Sequence, residues 1–190
     1  MNVLRVIQLL GLFCLFAGIA RFGMTPTSLI WGTDSWQELT CGYIASIMMA
    51  IGTIALYMVQ SKESGVLGFI STIGIILGNI CTAAMLFVSF IIDTSANEPE
   101  GVAVAITGIG AMVGLMGGTL LFAIATYRAK VFPRWVAGLS VLMLLVGFLP
   151  IEDNKYMAAF WGIAYVVMGY YIWTGKLNSP RQQEQIAVQA

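Results

Sequence analysis

Six long apolar stretches, separated by short polar segments, dominate the chain. They cover about residues 6–20, 41–59, 66–92, 102–126, 135–151 and 156–173. A helix needs about 20 apolar residues to cross a hydrocarbon layer about 30 Å thick. None of the stretches alternates as a membrane strand would, and backbone groups in lipid must bond within their own helix. The pattern therefore predicts an all-α, polytopic integral membrane protein with six transmembrane helices in a compact bundle.

Composition supports this class and leaves no length for a separate soluble domain. The chain has 190 residues, of which 59% are hydrophobic and 9% are charged, whereas soluble domains carry about 25% charged residues. We expect the bundle to occupy residues 1–177 and a polar, flexible cytoplasmic tail to occupy 178–190. The net charge is zero, so no nucleic acid partner is expected. The expected partners are the lipid bilayer, other membrane proteins and a second copy of the chain.

The signs of the loop charges predict the orientation. With a cytoplasmic N-terminus, the outer side holds only the basic residues Arg21 and Lys155. The inner side then holds Arg5, Lys62, Arg128, Lys130, Arg134, Lys176 and Arg181. Inner loops are enriched in Lys and Arg, so both termini should be cytoplasmic. In this assignment no ionisable side chain lies deep within a span.

The first apolar stretch has two interpretations. Arg5, a short apolar region and the small residues Gly18 and Ala20 form a pattern typical of a cleaved signal peptide. Gln8 within the stretch and Arg21 directly after it favour a retained transmembrane helix. Cleavage would leave five helices in the same orientation.

Two local patterns predict where helices begin. Residues 35–38 form an S-x-x-E capping box, which places the start of the second helix before Cys41. Pro133 suits the first turn of the fifth helix, where its missing N–H costs nothing. Aromatic residues near the predicted boundaries are expected to anchor the helices at the membrane interface. They are Trp31, Trp36, Trp135, Tyr156, Tyr170, Tyr171 and Trp173.

A short internal similarity suggests a duplicated hairpin. The segment 52–57 resembles 118–123, and Ser71 and Gly78 in the following helix correspond to Ser140 and Gly147. The second and third helices could therefore repeat as the fourth and fifth in parallel orientation, as in some transporters, or the match could be chance.

Small residues recur every four positions in two consecutive spans. The third span carries Gly74, Gly78 and Thr82, and the fourth carries Gly110, Gly114 and Gly118. Such stripes let helix backbones approach closely in lipid. We expect the two spans to pack on each other; the alternative is that one stripe faces another subunit.

Asn79 is the most polar side chain expected near the centre of the membrane. Thr82 and Thr72 share its helix face. A buried amide needs a partner, so Asn79 is expected to form a hydrogen bond between helices, worth about 0.6–2 kcal/mol. The alternative is a contact with a ligand or solute in a polar cleft.

Groups typical of catalysis and metal binding are missing from the pattern. The chain has no histidine, which removes the commonest general base and metal ligand. Cys14, Cys41 and Cys81 form no redox or zinc motif. The carboxylate pairs Glu98–Glu100 and Glu152–Asp153 are expected in solvated outer loops. The sequence therefore predicts no catalytic, cofactor-binding or metal-binding residue and no enzyme.

The segment Tyr127-Arg-Ala-Lys-Val-Phe-Pro-Arg-Trp135 precedes a glycine-containing apolar helix. It resembles the loop between two late helices in small bacterial multi-helix membrane proteins of unknown function. That resemblance implies a bacterial inner-membrane location and transfers no functional residue. The favoured hypothesis is a non-enzymatic accessory or regulatory membrane subunit that acts through helix–helix contacts. The alternative is a small transporter or channel for a neutral or apolar solute.

Overall fold

The structure, a computed structural model, describes residues 3–92, 100–149 and 156–178. Within these ranges the chain is helical and has no strand. The helices are α1 (Val3–Trp31), α2 (Trp36–Met58), α3 (Ser61–Ile91), α4 (Val102–Met112), a π-helical turn (Val113–Gly117), α5 (Gly118–Ala129), α6 (Arg134–Gly147) and α7 (Met157–Thr174).

Five of the described helical segments are long and apolar enough to cross a membrane, counting α4, the π-helical turn and α5 as one segment, Val102–Ala129. The all-helical prediction is confirmed, and these segments are consistent with a membrane location. Helix α6 has 14 residues, which span about 21 Å at 1.5 Å per residue. The count of six spans and the orientation stay predictions.

Helix α1 differs most from the sequence prediction. It continues through the predicted boundary at residue 20 and ends at Trp31, with Pro26 inside it. The Thr27 hydroxyl, one residue after the proline, donates a 2.8 Å hydrogen bond to the Gly23 carbonyl. The helix carries Arg21 about two thirds of the way along its length. The prediction that Arg21 lies in an outer loop is therefore wrong.

The predicted start of the second helix agrees with α2. The Ser35 hydroxyl accepts a hydrogen bond from the Glu38 N–H at 3.4 Å, and the helix begins at Trp36. The Glu38 carboxylate accepts from the backbone N–H of Asp34 at 2.8 Å, one residue before the partner that a capping box uses. Both capping hydrogen bonds therefore form, but the Glu38 carboxylate bonds to the N–H of Asp34 instead of the N–H of Ser35.

The ends of the later helices differ from the predicted spans by a few residues. Helix α3 begins at Ser61, and a kink at Gly65 (φ 54°, ψ −143°) separates its first turn from the rest. The apolar pattern begins directly after this kink, at residue 66. Helix α6 follows Pro133 and ends at Gly147, before the predicted boundary at 151. Of the predicted tail, the structure describes only Asn178.

The helices contact one another in the cyclic order α1, α2, α3, α5, α6, α7 and back to α1. We call the end at which α1 begins and α7 ends the closed end, and the end at which α1 and α3 finish the open end. The orientation predicted from the charges makes the closed end cytoplasmic. The buried core between the helices includes Met49, Phe122, Trp161, Tyr165 and Met168.

Helices α1 and α7 touch along a glycine seam that the sequence analysis did not identify. A Cβ on Gly18 would lie 2.5 Å from the Gly162 carbonyl oxygen, and one on Gly169 would lie 2.4 Å from the Leu15 backbone nitrogen. No side chain fits in such gaps, so the two backbones lie in direct contact. The glycines of the seam are seven residues apart on each helix. They are Gly11 and Gly18 on α1 and Gly162 and Gly169 on α7.

Candidate functional site

The predicted glycine stripes lie between α3 and the segment formed by α4, the π-helical turn and α5. A Cβ on Gly114 would lie 2.6 Å from the Gly74 carbonyl oxygen and 2.8 Å from Gly78, and one on Gly118 would lie 2.8 Å from the Ile75 nitrogen. A Cβ on Gly110 would lie 2.8 Å from the thiol sulfur of Cys81. These contacts are within one chain.

Beyond the glycine contact, toward the open end, neither α3 nor α4 has a buried residue. Asn79 is the last buried residue of α3. In the returning span α4 has no buried residue, and Leu115 is the first buried one. Helix α4 packs on α3 and on the π-helical turn, with no extensive contact to α1, α2, α6 or α7. Residues 80–91 and Val102–Met112 therefore form a two-helix arm, which we call the α3–α4 arm.

The α3 side of the arm is held to α2 by aromatic contacts. The ring of Phe90 packs edge-on against Trp36 at 4.7 Å between centroids and against Tyr43 at 6.1 Å. Helix α4 lies on the far side of α3 from these contacts. Within the described ranges 3–92, 100–149 and 156–178, the cycle of helices is thus interrupted between α4 and α6 at the open end.

The closed end is filled by apolar residues from the connections between helices. Val131 and Phe132, which follow α5, are 2% and 1% exposed, and Leu177 after α7 is 4% exposed. The backbone N–H of Asn178 donates to the Val131 carbonyl at 2.8 Å and ties these segments together. We call Val131, Phe132 and Leu177 the apolar plug. The sequence predicts a loop between two helices at residues 127–135 and does not indicate that part of it is buried.

The predicted polar residues of α3 bond mainly within their own helix. The Asn79 amide nitrogen donates to the Ile75 carbonyl at 2.9 Å, and the Thr82 hydroxyl donates to the Gly78 carbonyl at 2.9 Å. The Thr72 hydroxyl is buried without a hydrogen-bond partner. Asn79 therefore marks the point where the arm leaves the core, and its amide nitrogen bonds to its own helix rather than to a neighbour.

Arg21 lies within α1 and not in the predicted loop. Its guanidinium carbon lies 5.8 Å from the centre of the Trp161 ring. Its Nε is buried and has no hydrogen-bond partner, while the residue as a whole stays partly exposed. Glu38 at the start of α2 is close enough to attract the cation. An ionisable residue within an apolar helix is a functional candidate.

A signal for the direction of Arg21 was present in the sequence. Between Gly11 and Ser28, the residues of α1 at heptad spacing are all buried apart from Arg21 itself. They are Gly11, Cys14, Gly18, Thr25 and Ser28. Arg21 occupies the position of this series between Gly18 and Thr25, so its side chain leaves the helix on the face that packs into the bundle.

Tyr165, one turn along α7 from Trp161, forms a hydrogen bond between helices. Its hydroxyl lies 3.0 Å from the hydroxyl of Thr53 on α2. Thr53 already donates to the Met49 carbonyl at 2.7 Å, so Tyr165 is the donor. This bond ties α2 to α7.

The other candidate groups add no chemistry in the part of the chain that the structure describes. No group of three or more metal-ligating side chains is found there. The three cysteines form no disulfide, and Cys14 is buried. Glu100 is exposed, and its predicted partner Glu98 lies outside the described residues, as do Glu152 and Asp153.

Compared with known proteins, the chain matches no family model, no curated protein and no solved structure. Its function is therefore argued from its own residues.

Proposed function

We propose that this chain is a small membrane transporter whose solute enters at the open end, between the α3–α4 arm and α6. The observation that carries the proposal is the difference between the two ends of one bundle. Transporters work by alternating access, in which a solute path is open to one side and blocked to the other. The sequence favours an accessory subunit and leaves a transporter as the alternative. The difference between the two ends supports the transporter.

The open end supplies the way in. Helix α4 has no buried residue and lacks extensive contact with α6 or α7. The path along its uncovered face leads to Leu115, where the returning span enters the core. Asn79 lies at the same level on α3, because a Cβ on the neighbouring Gly78 would touch the Leu115 nitrogen. A solute that reached this level would meet the amide of Asn79.

The closed end supplies the barrier. The apolar plug is almost completely buried, and Gln60 beside the turn between α2 and α3 is also buried, with both amide atoms unpartnered. Unpartnered buried amides cost about 1–3 kcal/mol each. A conformation that opened the closed end and hydrated Gln60 would recover part of that cost.

The π-helical turn provides a place for movement between the two states. Val113–Gly117 joins the uncovered α4 to the packed α5, and π-helical turns are frequently found at functional sites. A Cβ on Gly117 would meet no atom within 4 Å, so the turn has free space on that side. Closure of α4 toward α6 about this turn would cover a solute at Asn79.

Flux measurements test the proposal. The full chain would be reconstituted in liposomes and assayed with labelled sugars, amino acids and small carboxylates. We expect uptake of at least one class, and a loss of at least tenfold in Asn79→Leu with an unchanged unfolding midpoint. Thr174→Val is the matched control, since its exposed hydroxyl bonds only to its own helix, away from the open end. No flux for any class with the unchanged chain would contradict the proposal.

The favoured hypothesis from the sequence, an accessory subunit, keeps one supporting observation. The uncovered face of α4 is apolar, with Ile106, Ile109 and Met112 each more than 60% exposed. A single transmembrane helix of another protein would fit beside it and complete the cycle of helices. A photo-crosslinker at Ile109 should then capture one partner that a crosslinker at Leu9, exposed on α1, does not. A clean monomer with equal lipid labelling at both positions would count against this function.

A further inference from the structure

Arg21 lies well inside its helix, although its side chain stays partly exposed. It is ten residues before Trp31, the last residue of α1, which corresponds to about 15 Å along the helix axis. Trp31 is 55% exposed and suits the membrane interface. An arginine at this depth costs at least about 2.5 kcal/mol in lipid, so its position calls for a partner or a task.

The described surroundings satisfy the cation only in part. The Trp161 ring lies 5.8 Å from the guanidinium carbon, and a ring face attracts a cation without accepting directed hydrogen bonds from all its N–H groups. Nε has no hydrogen-bond partner. Glu38 attracts the cation through space, and its carboxylate also accepts from the N–H of Asp34 at 2.8 Å.

We propose that Arg21 is the recognition site for the oxyanion group of a ligand, a carboxylate or a phosphate oxygen, that enters at the open end. The planar guanidinium offers paired N–H donors that match the spacing of two anionic oxygens. The Trp161 ring covers one side of the cation, and Trp161 is a positioning residue here. The inference deepens the proposed transport function and rests on it for the route by which the ligand arrives.

This inference changes the solute class that the sequence suggested. A neutral or apolar solute was expected because no ionisable group was assigned to the membrane interior. With Arg21 directed into the bundle, a neutral solute would leave the cation without a counter-charge beyond Glu38. An anionic solute neutralises it, and water-excluding surroundings strengthen the attraction.

Binding to the purified full chain in neutral detergent tests the inference without requiring transport. The probes are benzoate and inorganic phosphate, measured by calorimetric titration. For a lipid source, native mass spectrometry would compare dioleoylphosphatidic acid with dioleoylphosphatidylcholine. We expect at least one anionic probe to bind, with at least tenfold loss in Arg21→Gln and a smaller loss in Arg21→Lys. Arg5→Gln, an exposed charge on the same helix, should bind as the unchanged chain does.

The pattern of results identifies the source and separates this inference from the transport proposal. Binding of benzoate or phosphate alone indicates a soluble ligand, and binding of phosphatidic acid alone indicates a lipid headgroup. Equal binding by Arg21→Gln and the unchanged chain, or no binding of any probe, would overturn the inference. If Arg21→Gln does not fold, the Arg21→Lys variant is used for the same comparison. Anion binding by Arg21→Lys equal to that of the unchanged chain would then exclude a site built on the guanidinium. Anion binding at Arg21 without flux would instead remove only the transport function.

Discussion

The guanidinium of Arg21 lies over the indole ring of Trp161, with 5.8 Å between the guanidinium carbon and the ring centre. The two residues come from opposite ends of the chain and meet because α1 and α7 touch along their glycine seam. Trp161 is 1% exposed, so the ring shields this face of the cation from water and lipid.

A double-mutant cycle should detect this pair as a stabilising interaction. For Arg21→Gln and Trp161→Leu we expect a coupling of about 0.5–2 kcal/mol, since cation–π attraction grows when the pair is desolvated. The measurement is the free energy of unfolding in mixed micelles at increasing dodecyl sulfate. Arg134 and Tyr127 provide a control at the same 5.8 Å, but Tyr127 is 55% exposed, so its coupling should be smaller. Equal couplings would show that burial by α7 contributes nothing.

Alanine at Gly114 and at Gly117 should have opposite effects although the two lie in one π-helical turn. A Cβ at Gly114 would lie 2.6 Å from the backbone oxygen of Gly74, and overpacking of this kind costs about 1–3 kcal/mol. At Gly117 the Cβ meets no atom within 4 Å, so the change should be neutral or stabilising by up to about 1 kcal/mol. Thermal unfolding followed by circular dichroism would compare them. Equal midpoints would mean that α3 and the π-helical turn are not in close contact.

The seam between α1 and α7 should be equally intolerant. In Gly162→Ala the added Cβ would lie 2.5 Å from the Phe22 nitrogen. Helices α1 and α7 would have to move apart to make room for it, and this would weaken their contacts along the whole seam. We expect a loss of about 1–3 kcal/mol in the same unfolding assay. Gly138→Ala in α6 is the control, because its Cβ meets open space. A stable Gly162→Ala protein would show that α7 packs elsewhere.

The two partners of the Tyr165–Thr53 hydrogen bond should respond unequally to its loss. Tyr165→Phe removes the donor and leaves Thr53 bonded to Met49, so the cost should be about 0.5–1.5 kcal/mol. Thr53→Val leaves a buried phenol hydroxyl without its acceptor, which costs about 1–3 kcal/mol. Unfolding free energies of both variants check the order. Tyr170→Phe, whose hydroxyl accepts from Lys176 at the surface, should have little effect, and the reverse order for the first two would assign the donor to Thr53.

The sequence by itself determined the helical class, several helix starts and the glycine stripes. Apolar length decides that a segment is a membrane helix, because lipid offers the backbone no other hydrogen bonds. Local bonds decide the caps, as in Ser35 and Glu38. The two stripes that contain Gly74 and Gly114 could also be found, since a four-residue spacing is a property of one helix face.

The tertiary structure alone decided the surroundings of Arg21 and the difference between the two ends of the bundle. A charged residue after an apolar run has the pattern of a loop until a distant helix supplies Trp161 to cover it. Val131 and Phe132 likewise lie between basic residues and look like loop residues until the closed end buries them. Periodicity gives the face on which a side chain leaves its helix, whereas the group that meets it there depends on helices far away in the chain.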